Sequence, residues 1–458
     1  MKNTILLALA LLPAVSGFTQ NGWTPLVNDN NLNGWKKLNG TADYTVENGV
    51  ITGMAKLGAP NTFLATEKSY ADFILEVEVN VENLLNSGIQ IRSLSTPDYQ
   101  NGRVHGYQVE IDPGPRAYSG GLYDEARRTW LYPLSVNPKG RKAFKPGDWN
   151  AYHIEAIGNQ IRVWVNGTMC TNLVDDMTAS GFIALQVHSI GKASDAGTKV
   201  RWRNLRIKTE NLEPERWTPD PDVPEISYLV NRLTDWEKRK GYRLLWDGKT
   251  SAGWRGAKLD GFPASGWVIR DGVLTVQATD GGEATGPGDI ITTDQFSNFE
   301  LELEFMITEG ANSGIKYFVD PEINKGTGSA IGCEFQLLDD AKHPDAKMGV
   351  AGNRTLASLY DLIPSQMISN PYSTKAQIFK GIGAWNKARI ISKDGHVEHW
   401  LNNEKMVEYE RFSQMFEALV NYSKYKDWPG FGRWPQGHIL LQDHGNTVHF
   451  RSIKIREF

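Results

Sequence analysis

"FILEVEV" (Phe73–Val79) and "FELELEF" (Phe299–Phe305) decide how this chain folds. From Leu75 and from Phe299 onward, apolar residues alternate with acidic ones. Successive side chains of a strand leave opposite faces, so this period of two predicts strands with one buried face. Glu76, Glu78, Glu302 and Glu304 then read as a solvated outer face. Similar short runs, separated by Gly, Asn, Asp and Pro, fill most of the chain. Roughly ten or more such strands per ~200 residues predict an all-β fold, a jelly-roll β-sandwich.

The two stretches also belong to a repeat. "NLNGW" (Asn31–Trp35) answers to "TSAGW" (Thr250–Trp254), and "VENGVIT" (Val46–Thr52) to "IRDGVLT" (Ile269–Thr275). "NSGIQIR" from Asn86 answers to "NSGIKYF" from Asn312, and "GYQVEID" from Gly106 to "GCEFQLLD" from Gly332. "GLYDE", "DWNAYHI" and "VWVNG" answer to "SLYDL", "AWNKARI" and "HWLNN". These matches never change order, which identifies a tandem duplication. The predicted layout is a leader over residues 1–18, copy one over 19–209, a linker with a short helix over 210–240, and copy two over 241–458. The linker is rich in proline and acid (Glu210–Ile226), and Leu229, Leu233 and Trp236 follow it at helical spacing. Copy two is longer after its Gly332 strand and again before Gln442. The second insertion holds "SKYKDWPGFGRWPQG" (Ser423–Gly437), and inserted loops on a β scaffold are common places for function.

The formal net charge is −4 with no basic tract, which argues against a nucleic-acid partner. Lys2, the apolar run Ile5–Ala14 and the small residues Ala14 to Gly17 have the order of a secretory signal, so export to the periplasm or beyond is expected. The apolar run is short for a membrane span, and no other segment resembles one. Cys170 and Cys333 fall in different copies, so buried free thiols are expected rather than a disulfide framework.

Period two also sorts the polar strands. Gln442 and His444 share a face, as do Gln186 and His188. Gln108, Glu110 and Asp112 share a face opposite Tyr107, Val109 and Ile111. Glu334 and Gln336 lie opposite Cys333 and Phe335. Gln90 and Arg92 share a face, with Lys316 and Phe318 as counterparts in copy two. One reading of such rows is a solvent-exposed sheet face. The other is a concave sugar site, where amides, carboxylates and a guanidinium meet hydroxyls donor for acceptor, with Tyr123 or Tyr360 on the next segment.

There is no Gly-rich phosphate loop, G-x-S-x-G elbow, H-E-x-x-H or calcium loop. His396 and His399 sit at odd separation on a predicted strand and are discounted as a metal pair. "LLDDAKHPDAK" (Leu337–Lys347) places Asp340 and His343 just after copy two's acidic strand. It reads either as a charged turn or as a catalytic or metal-binding loop. In copy one, His105 precedes the equivalent strand and Asp112 ends it.

Taken in order, "WDGKTSAGW" (Trp246–Trp254), "ANSGI" (Ala311–Ile315), "LYD" (Leu359–Asp361), "AWN" (Ala384–Asn386) and "LLQDHG" (Leu440–Gly445) resemble the 3-keto-disaccharide hydrolase domain family. Copy one resembles it too, departing at "VNDNNLNGW" (Val27–Trp35) and "LQVHS" (Leu185–Ser189). Copy two departs at Phe318, where copy one has Arg92. The resemblance implies two concanavalin-like jelly rolls and cleavage of glycosides carrying a ketone at C3. The ketone acidifies the C2 proton, a base removes it, and the C1 aglycone leaves by elimination. Later addition of water gives net hydrolysis, so both lyase and hydrolase stay open. A histidine suits the base, and a donor or cation suits the enolate oxygen.

The catalytic candidates are accordingly His444, His343, Asp340 and Tyr360 in copy two and His188 in copy one. The substrate-binding candidates are Glu334, Gln336, Gln442 and Lys316 in copy two, with Arg92, His105, Glu110, Asp112, Tyr123 and Gln186 in copy one. The insertions favour copy two as the catalytic one. No cofactor is required, although histidine and carboxylates on neighbouring strands leave a divalent ion open. Oxidation at C3 falls to a separate sugar 3-dehydrogenase. The alternatives are a non-catalytic carbohydrate-binding protein, or one catalytic and one binding copy.

Overall fold

A computed structural model describes residues 22–27, 30–279, 288–326 and 328–458. The expected leader, residues 1–18, lies outside the described residues. Among them, no helix is long and apolar enough to cross a membrane.

Each copy is an all-β sandwich of two antiparallel sheets. In copy one the back sheet runs Thr168–Val174, Gln160–Val165, Asn150–Ile157, Phe73–Val81, Lys199–Lys208, Val50–Met54, Asp43–Glu47. The front sheet runs Thr129–Tyr132, Leu122–Glu125, His105–Ile111, Ser87–Leu94, Phe182–Val187, Thr62–Thr66, Trp35–Asn39. Copy two repeats the front order with Ile331–Leu338, Asn312–Asp320, His438–Leu441, Ile290–Thr292 and Trp254–Gly256. Its back sheet places Phe299–Ile307 between Asn386–Lys393 and Val448–Glu457. The alternating strands thus lie centrally in the back sheets, as their one-sided apolar period requires. Leu75, Val77 and Val79 are buried against Ile89, Tyr107 and Val109 of the front sheet.

The acidic faces of the two copies differ. Glu76 and Glu78 pair with Arg206 and Arg203 near the surface of copy one. Glu304 and Glu302, expected to be solvated, are instead covered. Glu304 is 4% exposed. Lys454 binds both Glu237 and Glu302, the latter at 3.1 Å. Glu237 belongs to the helix Asp235–Arg239, whose start is fixed by a capping box with Thr234. Leu229 and Leu233 lie ahead of this helix rather than in it. Asn231 between them has a φ of 50°, which breaks any helix there, and its side chain ties to Gly272 and Ser452. The preceding Ile226–Ser227 pairs in parallel with Thr168–Val174, so part of the proline-rich segment joins the back sheet of copy one.

One continuous apolar core runs through both copies and the segment between them. At the junction the fully buried Glu404 of copy two accepts hydrogen bonds from Tyr118 and Ser135 of copy one, each at 2.5 Å, and from Ser369 at 2.6 Å. Asn403 donates to the Leu131 carbonyl and to Tyr228. Cys170 and Cys333 are free, buried thiols in separate sandwiches, and burial pushes them up to about 12 and about 11.

Candidate active site

The polar rows are not solvated faces. Gln90, Gln108, Glu110 and Gln186 are 0–4% exposed, so an exposed-face reading fails for copy one. The register sets Gln90 opposite Gln108, Gly88 opposite Glu110 and Tyr123 beside Gln108. A side chain at Gly88 would collide with Gln108, and one at Gly314 with Glu334. The glycine of NSGI therefore makes room for the polar side chain on the next strand, in both copies.

In copy one these groups form a chain. Ser93 donates to Gln90 (2.6 Å), Gln90 to Gln108 (2.6 Å), and Gln108 to Glu110 Oε2 (2.9 Å). Asn86 donates to Glu110 Oε1 (2.8 Å). Burial, with the Asp112 charge adding to it, pushes the Glu110 carboxyl up to about 7. Gln186 lies two strands over from Glu110, across Gly88, and its buried amide oxygen and nitrogen have no hydrogen-bonding partner. Glu110, Gln186, His188, Tyr123, Arg103 and Arg116 all line a cavity of about 520 Å³. Burial, helped by Arg116, lowers the His188 imidazole below its ordinary value. Its Nδ1 is 2.7 Å from the Ser189 carbonyl, which only accepts, so Nδ1 carries the proton and Nε2 keeps its lone pair. Burial and Glu125 push the Tyr123 phenol up to about 12, leaving it a hydrogen-bond donor at neutral pH.

Three copy-one candidates fall outside this arrangement. Arg92 sits on a β-bulge with a φ of 46°, which ends the two-residue parity. Its guanidinium turns to the edge, binding Asp72 and the carbonyls of Ala71 and Gly158. Phe318 occupies the same bulge in copy two, with a φ of 53°. His105 stacks on Tyr99 at 3.9 Å and meets the Arg103 carbonyl through Nδ1, beyond that bulge. Asp112 ends its strand in an ion pair with Arg116 at 2.6 Å, so it holds a lining residue.

Copy two assembles a related but different cluster. Carboxylate and amide change places: Glu334 stands where copy one has Gln108, and Gln336 where it has Glu110. The Gln336 amide donates to the Ser313 carbonyl (2.9 Å) and Glu334 Oε1 (3.2 Å). Asn312, the counterpart of Asn86, lies 3.3 Å from His444 Nε2 rather than on a carboxylate. His343 meets His444 edge to face at 6.0 Å, and burial and the His444 charge lower its imidazole. Tyr360 donates to Asp345 (2.8 Å), which pairs with Arg354. Gln442 is buried, its carbonyl bonded by Ser313. Lys316 keeps 3.8 Å from Glu334 while its ammonium turns to Ser329 and the Ala330 carbonyl. Asp340 does not join His343. It caps Leu356 N and pairs with Lys375 at 2.6 Å, because the turn after Asp339 carries it to the loop.

The long insertion packs Tyr425 and Phe431 into the core and sets Lys424 over the Tyr360 ring at 4.3 Å. Its aromatic residues are therefore largely structural. His396 and His399 do point apart: His399 bonds Tyr317 in the core, and His396 pairs with Glu410 outside. The one group with metal-ligand spacing among the described residues, His396, Glu398 and Glu408, lies on strands of copy two's back sheet, and its two carboxylates bind the Lys405 ammonium.

Asn86 and Asn312, beyond the residues expected from parity, open the repeated NSGI motif, and that repetition is their sequence signal. Trp130 and the four residues that copy two contributes to the copy-one cavity, Ala376, Gln377, Phe379 and Lys380, carry no local signal.

Known proteins agree with the repeat. A family model described as the 3-keto-alpha-glucoside-1,2-lyase-like domain matches residues 22–208 and again 241–456. A 3-keto-disaccharide hydrolase of Bacteroides thetaiotaomicron is 38% identical over 236 residues, covering 47% of this chain and 78% of that protein. A solved Parabacteroides distasonis protein, provisionally named a glycosyl hydrolase, is 29% identical over 50% of this chain and 99% of its own, with a TM-score of 0.42. The Bacillus subtilis carbohydrate-binding module CBM66 is 16% identical over 38% and 95%, with a TM-score of 0.26. Matched once in each copy, the chain belongs to the 3-keto-alpha-glucoside-1,2-lyase-like domain family.

Proposed function

We propose that the chain cleaves glycosidic bonds of sugars oxidised at C3, and that copy one carries the reaction. The observation behind this is a single cavity that holds an unpartnered, fully buried Gln186 amide and a Glu110 carboxyl near neutrality. A buried amide without partners costs free energy that a hydroxyl-bearing ligand recovers. A carboxyl that is half protonated near pH 7 can give or take a proton at the reacting centre.

His188 Nε2 takes the C2 proton of the substrate. The C2–H electron pair forms the C2=C3 bond of an enolate; as the C3 ketone re-forms, that pair becomes the C1=C2 bond and the C1–O bond to the aglycone breaks. Protonated Glu110 supplies the proton that the leaving oxygen needs. Tyr123 and Arg103 donate to the C3 oxygen while it carries enolate charge. The products are a 2-hydroxy-3-keto-glucal and the free aglycone, and later addition of water at C1 gives the net hydrolysis. A separate dehydrogenase makes the ketone beforehand, and the leader exports the enzyme to the compartment where glycans are cut.

Product analysis on a 3-keto-β-glucoside tests this reading. Wild type releases aglycone and the unsaturated sugar. Glu110→Gln and His188→Ala each lower kcat by about 100-fold or more, the usual scale for a lost general acid or base. Binding of ordinary glycans with no turnover of any 3-keto sugar would instead mark a binding protein. Turnover that ignores both substitutions would remove copy one from the chemistry.

A further inference from the structure

The lining of the copy-one cavity is shared by the other copy. Ala376, Gln377, Phe379 and Lys380 of copy two line it together with Glu110 and Gln186. They sit on and just after the helix Lys375–Ile378, whose N-terminus is fixed by a capping box between Thr374 and Gln377. The segment is pinned from behind. Ile378 is 2% exposed, and its carbonyl accepts from Asn402 at 2.8 Å. Lys380 N donates to Asn386 Oδ1 at 2.9 Å. Lys375 binds Asp340, the Leu356 carbonyl and Ser365. The segment is thus a rigid wall rather than a mobile flap.

The two sides of the cavity differ in chemistry. The copy-one side offers amides, carboxyls, an imidazole and guanidinium groups, which match the hydroxyls and ketone of a sugar, together with the Tyr123 and Trp130 rings. The copy-two side offers the Ala376 methyl group, the Gln377 amide and the half-buried Phe379 ring, with the Lys380 chain beside them. A sugar ring satisfies the first side, and the second suits a group with a flat or apolar face. Resting on the glycoside-cleavage reading above, we propose that the Ala376–Lys380 segment of copy two forms the leaving-group subsite of copy one. Copy two then sets which aglycones copy one accepts, and Phe379 is its specificity-determining side chain. Asp340, through Lys375, is a positioning residue for the wall.

The test uses the full chain with two substrates, a methyl and a phenyl 3-keto-β-glucoside. Ala376 is exposed on its helix, so Ala376→Trp narrows the cavity without disturbing the core. Ala376→Trp and Phe379→Ala are each expected to raise KM for the phenyl glycoside by about 10-fold, against less than about 3-fold for the methyl one. Asp340→Asn shifts the phenyl KM in the same direction, and a salt-bridge role confined to copy two would leave it unmoved. If wild type cleaves both substrates, Glu110→Gln abolishes cleavage, and the wall variants treat the two alike, the subsite is wrong while the function stands. If wild type cleaves neither, the functional reading fails and the subsite fails with it.

Discussion

Glu110 couples chemistry to stability in one side chain. Burial raises its carboxyl from 4.5 to about 7, so between those values the folded chain holds a proton that the unfolded chain has released. Its contribution to stability is whole below about pH 4.5 and is lost as pH rises to about 7. Glu110→Gln removes that loss. The variant should melt above wild type at pH 8 by a few degrees, since ~1 kcal/mol moves Tm by about 1–2 °C when both copies unfold as one unit. The difference should close by pH 4.5. The same proton shapes the rate: kcat/KM should fall above about pH 7 as Glu110 ionises, alongside an acidic limb from His188. Melting curves with no pH-dependent gap between the two proteins would mean that Glu110 titrates as an ordinary exposed carboxyl.

Elements carried most of what could be read in advance. Strict alternation placed Phe73–Val81 and Phe299–Ile307 as strands, and parity brought Gln108, Glu110, Gln186 and His188 to one cavity. Parity stops where the strand stops being regular. The bulge at Arg92 turns that side chain to the edge, and nothing in "NSGIQIR" announces it. The outer faces mislead for another reason, because a distant segment can lie across them. Helix Asp235–Arg239 does so, and it places Glu237 beside Lys454 and Glu302 in a buried network. Burial alone would raise the Glu302 carboxyl; Lys454 and Lys387 outweigh it and hold the group well below the usual carboxylate range. Lys454→Met leaves two buried carboxylates without their shared cation. The expected cost is about 3–5 kcal/mol, measured by denaturant unfolding. A loss below ~1 kcal/mol would show that water reaches these carboxylates.

At the scale of the molecule, the duplication brought two similar units together and then made them unequal. Glu110 and Gln336 occupy equivalent positions, as do Gln108 and Glu334, so each row keeps one carboxyl but in a different place. The wall from copy two completes the lining of the copy-one cavity, and a wall of this kind follows from docking, which no local period encodes. The docking itself rests on Glu404. Its carboxylate accepts from three hydroxyls, those of Tyr118, Ser135 and Ser369, at a fully buried junction. Glu404→Gln keeps the size but offers one acceptor oxygen and two donors, so at least one hydroxyl loses its acceptor, at about 1–3 kcal/mol. Because one apolar core spans both copies, wild type should unfold in a single calorimetric transition. Glu404→Gln should lower that transition and begin to split it, as the copies come apart before either melts. The phenyl-glycoside KM should rise in parallel, since a loosened junction moves Phe379 away from the sugar. A split transition with unchanged KM would mean that the wall keeps its place without the junction. An unchanged single transition would mean that Glu404 does not hold the copies together.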